Sequence, residues 1–518
     1  MKRTQSVSRV SACLLALLLA IATVLLCACG EEGTGGSNSS TGNGSPDSAQ
    51  ESSDAASEMS GPSDAKPSDG PSDVPPEVVD LNGRKINILC KDFTTSAIQG
   101  YTGEVLYSRE ENASSVDVAK KAIIDYVEAL YGCTVDGVLD NSNDLVQLVQ
   151  NMVISDTNDY DMVFTNQASL VSMSQAGALM DLNSIPTLNL NNSWWDQNAV
   201  SQLSIAHKLF YINGDINTFD DLGTFCVIFN KSLKDRLGIE EDFYQTVRDG
   251  NWTLDHFIAL CKGITVDLDG DGINELDQWA FGTETYNIFV QVLGGGLHLI
   301  EKDENDLPYI AFKDNPQRYF SALDTITAFY RSADVMVADD GSHSHLQNEF
   351  EDTVNKAFRE GRELFYMGGL FNLAAFRDMD DDIGVLPIPK TFADQEAYHH
   401  TVSTYGTTFL AIPFGVPDTE ELGLVIEALA MKSRELLTPA FYDTQLKYRD
   451  LRDNESGEML DMIFATRLFD HGPAYNWGGM LGIFRSLNMD YASRFESSMD
   501  SIQSALDATI QLIQEQNS

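Results

Sequence analysis

The sequence predicts a mixed α/β protein of two lobes with a hinge and a ligand cleft between them. Three observations carry that prediction. The chain has 518 residues, more than one hydrophobic core organises, so two domains or lobes are the default. Residues 85–164 alternate strand-like apolar runs with helically periodic ones, the rhythm of a parallel α/β sheet. Residues 192–282 set aromatic side chains between Gly and Asp turns, as expected where a chain crosses from one lobe to the next.

The N-terminus is read as a targeting segment and excluded from the fold. Lys2, Arg3 and Arg9 precede an apolar run at 14–26 that is too short for a comfortable membrane span. Leu26, Cys27 and Ala28 then lead to Cys29 and a polar tail, a pattern that resembles a bacterial lipobox. It implies a signal peptide over 1–28 and lipidation of Cys29, with acyl chains such as palmitate. The body is then held at the extracellular face of the cell membrane. Residues 29–79 are acidic and rich in Gly, Ser and Pro, cannot bury enough surface to fold, and read as a disordered tether.

The formal net charge is −45, and loss of Lys2, Arg3 and Arg9 leaves 30 bases against 78 acids, or −48. A field of that sign repels phosphate backbones, so nucleic acid is not an expected partner. Neutral ligands and cations are favoured. Beyond Cys13, Cys27 and Cys29, four cysteines remain: Cys90, Cys133, Cys226 and Cys261. Cys90 and Cys133 lie on neighbouring predicted strands, so a disulfide and buried free thiols are both open.

In the body, 85–90 reads as a buried strand, 116–131 as a helix ended by Gly132, and 133–138 as a second strand. A helix follows at 143–154 and a third strand at 161–164. Ligands meet such sheets at the carboxyl ends of strands, which places Asp92, Phe93, Asn166 and Gln167 at the cleft mouth. Residues 209–212 read as a strand, 224–230 as a strong strand, and 231–237 as a helix ended by Gly238. Thr253 is the expected N-cap of a helix over 252–264. A long amphipathic helix is expected within 311–340, a shorter one at 352–360 and a strand at 363–367. The prolines at 387 and 389 make 383–389 extended. A strand at 407–412, a helix at 420–432 and a mostly helical tail complete the chain.

One loop has metal-ligand spacing. Asp267, Asp269 and Asp271 alternate, Gly272 permits the sharp turn, and Ile273 offers its backbone carbonyl. The twelfth position is Gln278, so Glu275 or Asp277 must supply the closing carboxylate. No clear exit helix follows, and the expectation is a structural calcium. Catalytic patterns are weak. His343 with His345, and His399 with His400, lack a third zinc ligand at suitable spacing. No serine elbow, phosphate-binding loop or paired-cysteine motif occurs, so no enzymatic activity is expected.

Sugars need aromatic platforms for their C–H faces and short polar groups for their hydroxyls. Candidate platforms are Trp194, Trp195, Trp252, Trp279, Tyr286, Phe371, Tyr475 and Trp477. Candidate hydroxyl partners are Asp92, Asn166, Gln167 and Asp215.

Several of these motifs, taken in order, resemble the extracellular solute-binding proteins of bacterial ABC importers, the group related to maltose-binding protein. They are Trp194, Trp195 and Asp196; Lys208 to Tyr211; Gly214 and Asp215; Phe229, Asn230 and Lys231; Asp249 to Thr253; the Asp267 loop; Gly384 to Pro387; and Tyr475 to Gly478. The resemblance covers nearly all of 81–518. It implies a periplasmic-binding-protein type II fold. The first lobe would comprise 80–218 and about 400–435. The second would comprise 219–399, with the calcium-type loop at 267–278, and about 436–518. It further implies a monomeric lipoprotein that closes on a small solute, most simply a mono- or oligosaccharide, and delivers it to ABC permease subunits. Trp477 and Phe371 would supply cleft aromatics. The alternative from another class is an exported glycan-active enzyme or a surface adhesin.

Overall fold

The computed structural model describes residues 73–92, 114–140, 144–442, 451 and 454–516. Phe93 and Cys29 lie outside them.

The first three strands are β1 (Lys85–Lys91), β2 (Thr134–Asp140) and β3 (Met162–Asn166). β1 pairs in parallel with both β2 and β3. The connecting helix Ser115–Tyr131 opens on a capping box between Ser114 and Asp117 and ends at Gly132, which adopts the left-handed conformation open to glycine. Its Ile123, Ile124 and Val127 face the sheet at helical spacing and are buried. The second connection is the helix Leu145–Ser155.

The chain then crosses to a second sheet. It contains β4 (Phe225–Asn230) and β5 (Trp279–Thr283). A hairpin of β6 (Ile300–Lys302) and β7 (Pro308–Ile310) follows, with β8 (Val335–Val337), β9 (Glu363–Gly369) and β10 (Ile383–Leu386) after it. A short strand β11 (His400–Thr401) leads to β12 (Thr408–Ala411), which returns to the first sheet antiparallel to β3. The first sheet has the order β12-β3-β1-β2 and the second β10-β4-β9-β5-β8. Near the C-terminus β13 (Arg467–Leu468) pairs with β11.

Two cores follow from the pleat of the second sheet. On β4, Phe225, Val227 and Phe229 enter one core and Cys226 and Ile228 the other, the period-two alternation of a strand buried on both faces. The core holding Cys226 is continuous with that of the first sheet. The other gathers Trp252, Phe257, Phe281 and Phe365. The terminal helix Tyr491–Glu515 buries Phe495, Ile502 and Leu506 in this second core. Its far end reaches the first lobe, where Gln175 donates to Thr509 at 3.2 Å.

Several elements depart from the sequence reading. Residues 209–212 form no strand; their one bridge pairs Ile212 with Leu410. The helix expected at 352–360 is a turn of π-helix, Glu351–Asn355, followed by Lys356–Arg359. The long helix within 311–340 is confined to Pro316–Tyr330, opened by the proline at its first turn. Thr253 does cap a helix, Leu254–Cys261, by accepting from His256 N. Cys90, Cys133, Cys226 and Cys261 are buried, and none is in a disulfide among the described residues. Among the described residues no helix is long and apolar enough to cross a membrane.

The helix Thr419–Pro439 sends Glu427 into the first lobe. Its carboxylate accepts from Trp194 Nε1 (2.8 Å), Trp195 Nε1 (2.9 Å), Asn192 Nδ2 (2.8 Å) and Asn189 N (2.9 Å). Glu427→Ala leaves these buried donors without an acceptor. The variant is expected to lose about 3 kcal/mol or more, read as a lower urea midpoint, because each orphaned buried donor keeps its desolvation cost.

Candidate functional site

Segments of the chain cross between the lobes side by side. Thr224 bridges Val402, Ser403 N donates to Gly223 O at 2.8 Å, and His400 registers with Arg467. Two groups of polar and aromatic residues collect around this crossing.

The first surrounds a polar cavity of about 130 Å³ lined by Trp194, Trp195, Asp196, Asp215, Asn217, Asp220, Asp221 and Arg467. Gly214 closes one wall at φ 154°, and a Cβ there would collide with Trp194 O and Trp195 Cα. Arg467 is buried and meets Asp196 at 3.0 Å, Asp221 at 3.0 Å and Asp220 at 3.4 Å. Asp215 accepts from Thr438 at 2.6 Å and lies 3.7 Å from Arg434. Burial raises the carboxyl pKa values of Asp215, Asp220 and Asp221 above the ordinary aspartate value; neighbouring carboxylates add and Arg467 opposes.

The second group lies where the loop between β11 and β12 meets the second lobe. The Tyr286 hydroxyl is 3.5 Å from Thr404 Oγ1, its ring stacks on Phe225 at 5.7 Å, and the Arg485 guanidinium lies over it at 5.6 Å. Arg485 pairs with Asp339 at 3.2 Å, and Asp339 accepts from both Thr285 N (2.7 Å) and Thr285 Oγ1 (2.6 Å). Half-buried Glu284 has its carboxyl pushed up to about 7, first by burial and then by Asp339. Tyr405, next along the chain from Thr404, is 52% exposed, an aromatic face open to solvent. The arrangement offers one open ring face, a fixed cation–carboxylate pair and a carboxyl that titrates near neutrality.

Of the other candidates, Asn166 caps the helix Gln167–Gln175 by accepting from Ser169 N, and buried Gln167 donates to Tyr211 at 3.4 Å. Phe371 is half-buried after β9 and packs against the first core. Trp477 is placed differently from the sequence expectation. It is 3% exposed within the second core, donates to Thr509 at 2.8 Å and stacks on Tyr475 at 4.5 Å. The terminal helix Tyr491–Glu515 packs over the loop that carries it. Trp252 is likewise buried, donating to Pro387 O at 2.9 Å. Trp194 and Trp195 line the polar cavity while their ring nitrogens face Glu427.

In the acidic loop, Asp267, Asp269 and Asp271 bring carboxylate oxygens within 4.8 Å of one another. A bridge between Val266 and Gln278 pinches the loop shut. Asp277 is 1% exposed and accepts from Leu268 N and Asn274 N, both at 2.8 Å. Glu275 lies 3.7 Å from His345. Ile273 projects outward, exposed, as a residue contributing only its carbonyl does. A side-chain hydrogen bond with Asp269, and then its charge, raises the pKa of Asp271, while backbone N–H groups lower that of Asp267. Three oxygens are thus gathered with excess negative charge, which fits a hard divalent cation.

The sequence reading missed Asp220, Asp221, Glu284, Asp339, Tyr405, Arg467 and Arg485. Arg467 carried a signal: it is a base flanked by apolar residues, Phe464 and Ala465 before and Leu468 and Phe469 after, in a chain short of bases.

No protein-family model matches the sequence, and no curated protein sequence matches it. Solved structures do match in fold. A cyclo/maltodextrin-binding protein complexed with maltotetraose is 12% identical with a TM-score of 0.52, covering 84% of this chain and 98% of its own. A cyclic alpha-maltosyl-1,6-maltose binding protein from Arthrobacter globiformis is 14% identical with a TM-score of 0.52, covering 84% of this chain and 100% of its own. The fold is therefore that of the two-lobed type II periplasmic binding proteins.

Glu284 yields a pH signature. Its folded pKa lies above the 4.5 of an ordinary glutamate, so between about 4.5 and 7 the folded chain holds more protons than the unfolded one. This group therefore makes stability fall as pH rises through that window. Glu284→Gln is expected to flatten that part of the stability–pH curve, measured by thermal melts across the window.

Proposed function

We propose that this protein is an extracellular solute-binding lipoprotein of an ABC importer, a binder and not a catalyst. It captures a carbohydrate by lobe closure and hands it to membrane permease subunits. The observation that carries the proposal is the group at the lobe crossing. Tyr405 supplies an open ring face, while Glu284, Asp339 and Arg485 supply oriented polar groups around the buried Tyr286, beside segments that join the two lobes. Flat C–H faces and many hydroxyls match that chemistry. The hinge geometry supports closure as the working motion. Lipid attachment at Cys29 and a monomeric state belong to the same reading.

A neutral oligosaccharide that binds only the folded protein raises its melting temperature by mass action. Among mono-, malto- and other oligosaccharides, one class is expected to give a saturable shift. Tyr405→Ala, an exposed position that costs the fold little, is expected to weaken it about fivefold or more. A shift with peptides alone would replace the ligand class. Turnover of an oligosaccharide would favour the glycan-active alternative.

The acidic loop is proposed to hold a structural calcium, with Asp267, Asp269 and Asp271 as side-chain ligands, Ile273 as carbonyl ligand and Glu275 or Asp277 closing the set. Calcium is expected to raise the melting temperature and chelator to lower it. In Asp271→Asn the response should weaken strongly, since that residue is exposed and serves no core packing. Identical melts with and without calcium would remove the ion from the account.

A further inference from the structure

The polar cavity at the hinge is electrostatically incomplete. Four carboxylates, Asp196, Asp215, Asp220 and Asp221, face one buried guanidinium, Arg467, with Arg434 only at the rim beside Asp215. Two donors are also left over. Asn217 is 4% exposed; its Oδ1 accepts from Phe219 N (2.8 Å) and Thr408 (3.4 Å), and its Nδ2 has no partner among the described residues. Arg467, 8% exposed, leaves its Nε unpartnered as well. Both residues line the cavity.

These two deficits constrain the occupant. Water could fill about 130 Å³ with roughly four molecules and satisfy hydrogen bonds, but it leaves the excess negative charge in place. A bare metal ion would supply charge but face two N–H donors, which repel it. An ammonium group donates to the carboxylates, and a hydroxyl oxygen on the same molecule accepts from Asn217 Nδ2 and Arg467 Nε. We propose that this hinge cavity binds a small protonated amine carrying hydroxyl groups, no larger than a single aminosugar ring. The inference goes beyond carbohydrate capture at the lobe crossing, with its own residues and its own ligand charge.

The test is calorimetric titration of the full chain near neutral pH with glucosamine, ethanolamine, glucose and calcium chloride. Binding is expected for the two hydroxylated amines and absent at this site for glucose. Asp221→Asn is expected to weaken glucosamine about tenfold or more, the loss of one charge-assisted hydrogen bond. Should that variant fail to fold by circular dichroism, Asp215→Asn decides, because Thr438 and Arg434 can both donate to an amide oxygen. Equal binding of glucose and glucosamine, response to calcium alone, no binding of either amine, or unchanged glucosamine affinity in a folded variant would overturn the proposal. Failure here leaves the capture reading standing, since that is read from neutral oligosaccharides on the unaltered chain.

Discussion

A carboxylate buried in a hydrophobic lobe is stable only if donors surround it, and Glu427 imposes that requirement on four separate groups. Two are indole nitrogens, which are donors only and have few alternatives once buried. The Trp pair is therefore held face-in against the helix Thr419–Pro439. Asn192, also bound to Glu427, exchanges hydrogen bonds with Val74, and Ser193 N donates to the Asp73 carboxylate at 2.7 Å. The first described residues are thereby fastened beside the Trp pair. One charge thus fixes the entry of the body, the wall of the hinge cavity and the packing of a long helix.

The next constraint is inherited from it. With Trp194 and Trp195 fixed, Gly214 is pressed against their backbone, and the acidic residues that follow are delivered to the hinge in one orientation. Arg467 arrives from the opposite direction on the strand paired with β11. It draws Asp196, Asp220 and Asp221 together despite their mutual repulsion. A buried charge network of this kind contributes little net stability but specifies one arrangement among several. At a hinge, that specificity sets where the lobes pivot.

Much of the fold was legible because it rests on local periodicity. The run from β1 to β3, the strand β4 and the caps at Gly132 and Thr253 are written in apolar spacing and cap residues. Residues 209–212 misled because apolar, aromatic-rich sequence supports a strand only where a neighbour pairs along its length, and Leu410 alone does so. The site was legible in part. Asp267, Asp269 and Asp271 converge because their spacing is local, while Trp477 was misjudged because its cover comes from a helix that begins at Tyr491 and packs back over it. Arg485, Asp339 and Glu284 meet from three distant segments, a juxtaposition that spacing along the chain does not encode.

Charge balance ties these features together. In a chain so rich in acids, the buried Arg467 is committed to carboxylates, and the surface carries the remaining negative field. Such a field favours solutes that are neutral or cationic and places its strongest local attraction where carboxylates are least solvated. Those places are the hinge cavity and, with greater screening, the acidic loop. Filling the first with a cation would relieve repulsion between Asp220 and Asp221 and tighten the segment that carries the chain from one lobe to the other. Filling the second would lock a loop already pinched between Val266 and Gln278. Neutral sugar chemistry at Tyr405 is largely insensitive to this field, so the three sites can be occupied on separate physical grounds.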